Sequence, residues 1–258
     1  MSTPPDAPVL WQMRFSHYNE KARWALDHKR IPHRRRSLVP GAHALRAKRL
    51  WGGATTPVLE LDGEFIGESS AIIAELERRW PDHRLYPEDP EERSRALALE
   101  ERFDTELGPY CRGALFDAVL PYPEEMMEAT VGHFGAATRL ASRAMYPLTR
   151  RILQKRLVED IGGGELCRRK TIEGLDRLEA ELGGGEHLVG GSFGVADLTA
   201  AALFSPLVSP PGYSYPLPDP WPPPWQQFRE SLAGRDGYRW VEETYRRHRG
   251  DSAAVAED

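Results

Sequence analysis

Cysteine is scarce here. The chain has 258 residues and two cysteines, Cys111 and Cys167, which form no short motif. A disulfide framework is not implied, and the count rules out a metal site built of thiolates. No apolar run approaches the roughly 18 residues of a membrane span, so no membrane partner is expected. The first eight residues, Met1 to Pro8, are polar and rich in proline. They lack the basic and apolar regions of a signal peptide, and the expectation is a cytoplasmic protein. Positive charge is not in excess: the net charge is −5, so no global pull toward nucleic acid is expected. The basic run His33-Arg34-Arg35-Arg36 reads as a solvated edge strand protected by charge, with an anion or nucleic-acid patch as the alternative. Hydrophobic content of 40% and charged content of 28% are those of an ordinary globular chain, long enough for one large domain or two smaller ones.

The most informative stretch is Thr56 to Ala71, TPVLELDGEFIGESSA. A strand-like run, Pro57 to Leu61, meets an Asp-Gly turn and a second run, Glu64 to Ile66. Asp-Gly between alternating apolar residues is a strong hairpin signal. Glu68-Ser69-Ser70 then opens a helix expected to run from Ser69 to Trp80. Pro57 at a strand start removes a donor and raises the question of a cis Thr56-Pro57 bond; a trans proline on an edge strand is the alternative.

Upstream, Val9 to Arg14 reads as a strand. Ser16 is a helix N-cap, and Glu20 to Lys29 is helical. Arg34 to Val39 is a second strand and Leu45 to Leu50 a short helix. The order βαβ-α-ββα fits a four-stranded mixed sheet with packed helices. Two prolines and four acids in Tyr86 to Glu92 mark a linker. Beyond it the segments Arg93–Leu107, Pro123–Arg143, Tyr146–Ile161, Leu166–Leu182, Gly194–Phe204 and Phe228–Arg247 are helical by length and periodicity. Ser205 to Trp225 is rich in proline and is expected to be non-helical. The expected division is residues 1–86 for the α/β domain, 87–92 for the linker, 93–250 for an all-α domain and 251–258 for a disordered tail.

Three places can carry chemistry. Ser16 stands where a strand meets a helix, where backbone N–H groups and the helix dipole favour an anion. It is either a plain cap or a hydroxyl that donates to a bound thiolate. A free thiol has a pKa of about 8.5. A charged hydrogen bond of roughly 1.5–3 kcal/mol and a helix end of about 0.3–1 kcal/mol lower it by about 1–3, enough to favour thiolate. Glu68, Ser69 and Ser70 form either a capped helix start or a mouth for an amino-acid end, carboxylate on the serines and ammonium on Glu68. Thr56 and Pro57, if the bond is cis, would offer backbone groups to a peptide laid alongside.

Together these motifs resemble the glutathione transferase superfamily. The resemblance covers most of the chain: Ser16, Lys21, Arg23, Ala25 and Leu26 of the first helix, the T-P-x-L-x-x-D-G hairpin, the Glu-Ser helix start and a helical second domain. It implies a thioredoxin-like domain followed by an all-α domain, with Pro57 cis. It implies Ser16 as the activating hydroxyl of a serine-type enzyme, and Thr56, Pro57, Glu68, Ser69 and Ser70 as glutathione contacts. Glutathione, or another low-molecular-weight thiol, would be the co-substrate. An apolar electrophile would be the partner, a homodimer the assembly and detoxification the setting. A non-catalytic binding module and a thiol-dependent reductase or isomerase are the alternatives. Gln12 stands nearest the tyrosine-type position, and Tyr18 is a substitute hydroxyl. Cysteine is absent at Ser16 and Asn19, so dithiol exchange is not expected. Asp197 looks like the structural acid of a buried helix start, although Gly194 stands where a capping Ser or Thr is usual. Trp51-Gly52-Gly53-Ala54 replaces the usual Asn-Pro-x-Gly. No contact for the glycyl carboxylate is identifiable, with Arg46 and Lys48 as guesses. Tyr213, Tyr215, Trp221 and Trp225 either line an electrophile pocket or belong to a rigid surface loop.

Overall fold

The computed structural model describes residues 7–215 and 217–257. Strand β1 (Val9–Gln12) is buried along its whole length. It pairs in parallel with β2 (His33–Ser37) and antiparallel with β3 (Val58–Leu61), placing Leu10 opposite Leu59. The Asp62-Gly63 turn, both residues at positive φ, folds β4 (Glu64–Gly67) back onto β3, as the hairpin motif requires. Helices α1 (His17–His28), α2 (Ala42–Trp51) and α3 (Ser69–Arg79) complete this part.

The sheet has five strands in the order β4-β3-β1-β2-β5, not four. The fifth strand is Ala254–Glu257, which pairs in parallel with β2. This corrects the expectation of a disordered tail over residues 251–258. Asp27 of α1 holds the approach to β5, accepting from the Ala253 N–H at 2.8 Å. The basic run is likewise no solvated edge, because β5 covers it. His33 and Arg35 are buried, and Arg35 forms a two-pronged pair with Asp27 at 2.7 and 3.0 Å.

The helical part begins with α4 (Pro90–Arg102), capped by Asp89, whose carboxylate accepts from the N–H groups of Glu91 and Glu92. A π-helical turn (Phe103–Leu107) leads directly into α5 (Gly108–Val119). Next come α6 (Pro123–Val131), α7 (Ala136–Leu157), a short 3-10 turn (Glu159–Ile161) and α8 (Gly164–Leu182). Helix α9 (Val195–Val208) is buried at every residue. Helices α10 (Pro223–Leu232) and α11 (Asp236–His248) follow.

Three helical boundaries differ from the sequence reading. Helix α7 runs through Pro147 and α9 through Pro206. Helix α10 starts with Pro223 and Pro224 in its first turn, where a missing N–H costs nothing. Helix α5 has no polar stripe to announce it, being buried on nearly every side. The core is continuous between the two halves. Trp24 of α1 is wholly buried, stacks on Phe193 with ring centroids 5.6 Å apart and donates from its indole to the His248 carbonyl at 3.1 Å.

Candidate functional site

Ser16 is the N-cap of α1, and its backbone carbonyl accepts the first helical bond from Glu20 at 3.0 Å. Its side chain makes no cap bond. A serine at this place ordinarily turns its hydroxyl onto the next turn's N–H groups. Here the turn before it is held by other means. Asn19 accepts from the Met13 N–H at 3.2 Å, and Arg23 donates to the carbonyls of Arg14 at 3.2 Å and Ser16 at 3.4 Å.

Asn19 also reaches the second part of the site. Its amide nitrogen donates to Thr56 Oγ1 at 3.2 Å, and both side chains are buried. The Thr56-Pro57 bond is cis. Asn19 thus fastens the Ser16 turn to the start of β3. It lies one turn after Ser16 in the sequence, but its partner is distant in the chain, so nothing local announced this role.

Glu68, the N-cap of α3, has φ 68° and no cap bond of its own. Its carboxylate accepts from Thr55 Oγ1 at 3.0 Å, so it sits beside the cis bond. Ser69 is buried. Ser70 is engaged elsewhere: its hydroxyl donates to Asp104 Oδ2 at 2.6 Å and accepts from Lys21 Nζ at 2.7 Å. Asp104 belongs to the π-helical turn, so Ser70 links the two halves of the chain. The donors left at this helix start are the backbone N–H groups and Ser69.

The segment Trp51-Gly52-Gly53 has a steric explanation. The indole of Trp51 lies across Gly53 and Gly67, where an added Cβ would come within 2.1 and 2.2 Å of the ring. Its Nε1 donates to the Thr55 carbonyl at 3.2 Å. The ring therefore braces both sides of the Thr55–Glu68 contact. Arg46 stacks on the Trp11 ring, 4.5 Å from its centroid.

Gln12 is wholly buried, accepting from Arg23 at 2.8 Å and donating to the Tyr215 hydroxyl at 2.5 Å. Tyr18 donates to the Asp104 carbonyl at 2.7 Å. Burial drives its pKa upward despite the nearby Arg112. Tyr18 is therefore held neutral and already bonded, unlike Ser16. Burial also pushes the Cys111 thiol up to about 12. The Asp197 carboxylate accepts from the N–H groups of Leu188 at 2.8 Å and Gly194 at 2.9 Å, the work of a helix start.

The Pro-rich segment lies against the Ser16 turn. The Tyr213 hydroxyl donates to the Arg14 carbonyl at 3.4 Å, and Ser214 donates to Glu20 at 2.6 Å. Tyr213 and Tyr215 also line a cavity of about 330 Å³ with Ser209, Leu217 and Arg229. Trp225 is buried and donates to the Pro206 carbonyl at 3.1 Å. Phe15, next to Ser16, meets Phe116 of α5 edge-on at 6.0 Å and Trp221 at 6.3 Å. The hydroxyl and an aromatic wall are therefore neighbours.

Residues 10–84 match the family model described as "Glutathione S-transferase, N-terminal domain". A "Probable maleylacetoacetate isomerase" of Caenorhabditis elegans is 26% identical over 202 residues, 76% of this chain and 77% of that protein. Among solved structures, the β-etherase LigF of Sphingobium sp. strain SYK-6 superposes with a TM-score of 0.60 at 18% identity. It covers 92% of this chain and 99% of its own. The theta class glutathione S-transferase of Xanthomonas axonopodis pv. citri, solved with glutathione bound, gives a TM-score of 0.54 at 21% identity over 92% of this chain and 97% of its own. Residues 10–84 therefore resemble a glutathione S-transferase N-terminal domain, and the chain as a whole shares the fold of these solved structures. Among the described residues, no helix is long and apolar enough to cross a membrane.

Proposed function

We propose that the protein is a serine-type glutathione transferase that activates a thiolate with Ser16 and directs it at an apolar electrophile. The observation that carries this reading is the Ser16 hydroxyl. It caps no N–H of its own helix, yet it sits at that helix's positive end, and Asn19 of the same helix ties the preceding turn at Met13 to Thr56. In this reading the peptide part of glutathione lies along Thr56 and cis-Pro57. Its amino-acid end meets Glu68, Ser69 and the backbone N–H groups below Ser70. Residues 1–86 serve the thiol and residues 93–250 the electrophile, which enters beside Phe15 and Phe116. Catalysis is thiolate stabilisation and proximity, with no base needed. A cytoplasmic homodimer with a role in detoxification completes the reading.

The experiment is Ser16→Ala with glutathione and a generic aryl halide. A lost charged hydrogen bond of roughly 1.5–3 kcal/mol lowers kcat by about 10- to 100-fold, while calorimetric glutathione affinity stays within about twofold. Near wild-type conjugation by the variant would overturn the assignment. The C. elegans relative favours a second reading, thiol-dependent isomerisation at the same serine. Following free thiol separates the two: conjugation consumes one glutathione per turnover, and isomerisation returns it.

A further inference from the structure

Arg112 is an unpaired cation beside the candidate site. It stands on α5, half-buried, with its Nε sealed from water and without a hydrogen-bond partner. Among the described residues its neighbour is the Tyr18 ring, 5.8 Å from the guanidinium carbon, and no carboxylate pairs with it. Burial without a counter-ion pulls its pKa down. His17 packs against the same ring, with centroids 4.6 Å apart, and is close enough to Arg112 to feel its charge. His17 is 3% exposed, and its Nε2 is also buried without a partner. Burial and the nearby Arg112 keep it neutral.

Two neighbouring orphans of this kind are costly. A buried polar group without a partner forfeits its hydration with nothing in return, and native structures usually pair such groups. An anion placed there would answer both, and His17 is the first residue of α1, so the helix end favours it too. The apolar surroundings are equally specific. Phe116 follows Arg112 by four residues on the same face of α5, and it meets Phe15, the residue before Ser16.

We propose that Arg112 and His17 form an anion subsite for the second substrate, which is therefore an aromatic or apolar electrophile carrying a carboxylate or a comparable negative group. The inference rests on the reading that this substrate enters beside Ser16. The division of labour follows the fold: the thiol peptide lies on the sheet domain, and Arg112 approaches from the helical domain.

The test is calorimetric titration of the full chain, without thiol, by 4-nitrobenzoate and by its uncharged amide. Wild type binds the carboxylate about tenfold tighter than the amide, the scale of one charged hydrogen bond. Arg112→Gln abolishes that preference and leaves the amide unchanged. Arg112→Lys keeps the charge but loses the planar fork, and lowers the preference without abolishing it. Equal affinities in wild type overturn the proposal, as does an undiminished preference in Arg112→Gln. If Arg112→Gln does not fold, Arg112→Lys decides: a reduced preference supports the subsite and an unchanged one overturns it. Glutathione titrated into the same proteins separates the two readings. Failure to bind thiol sinks the transferase assignment, while a carboxylate preference that depends on Arg112 stands without it.

Discussion

Glu20 has no water around it, and burial alone would raise its pKa, but Arg249 and Arg23 outweigh that and hold it at about 2. Its folded-state pKa is below the unfolded one, so the stability it contributes is present above about pH 4.5 and is lost as pH falls toward 2. The size is roughly 3 kcal/mol. Burial pulls His28 and His33 down to about 4 each, and the neighbouring His83 and Arg35 add to the effect. For a histidine this sign also means stability held above about pH 6.5 and lost on acidification through 4. Denaturant midpoints should therefore fall in two stages, first from pH 6.5 to 4 and then below 4.5. Glu20→Gln should abolish the second stage and keep the first. At pH 7 it should also cost about 3–5 kcal/mol, because buried Arg23 loses its carboxylate and Arg249 keeps only Asp27. A variant whose acid limb matches wild type would count against this account. The residues of the site differ in how far sequence could reveal them. Ser16, Thr56-Pro57 and Glu68-Ser69-Ser70 stand in local motifs, each readable from its own turn or helix start. Asn19, Trp51 and Arg112 were obscure because their meaning depends on partners far away in the chain: Thr56, Gly67, and the ring of Tyr18.

At the scale of elements, the contrast between β5 and the hairpin is instructive. The hairpin carries its own turn and is visible in a short window. Strand β5 is Ala-Val-Ala-Glu after a glycine and an aspartate, with no alternation and no turn signal. Its strand state comes entirely from β2 and from Asp27, which accepts from the Ala253 N–H. Deleting residues 251–258 should therefore destabilise the protein by about 2 kcal/mol, the sum of a few net hydrogen bonds, read from urea midpoints. It should also expose the β2 edge and speed amide exchange at His33 and Arg35, while Arg34, bonded to Pro8, stays protected. Exchange unchanged by the deletion would contradict the pairing. Helix α5 was hidden for the opposite reason. It is buried on nearly every side, and its two charged residues, Arg112 and Asp117, form no polar stripe, so no 3.6-residue pattern marks it. Its glycines fit neighbours instead: Gly108 accommodates the Tyr18 hydroxyl and Gly113 the Cys167 sulfur, each too close for a Cβ.

At the scale of the molecule, Lys21 joins what the linker separates. It is wholly buried on α1 and pairs with Glu100 of α4 at 2.9 Å and Asp104 of the π-helical turn at 2.6 Å. It also meets Ser70 of α3. Lys21→Met should cost about 3–5 kcal/mol, because two carboxylates lose their buried cation. Wild type should unfold in one transition seen alike by tryptophan fluorescence and far-ultraviolet circular dichroism. The variant should split it, the sheet domain melting first. Coincident transitions in Lys21→Met would show that the apolar contacts between the domains suffice.

The placement of β5 has one more effect, on the order of events during synthesis. The strand that covers β2 emerges from the ribosome only after the entire helical domain. Until then the β2 edge is open, and Asp27 and Arg35 have no lid over them. The sheet that holds Ser16 can begin to form early, but its fifth strand must wait until the helical domain has been made. The helical domain therefore folds against an unfinished sheet, and residues 253–257 join that sheet only afterwards.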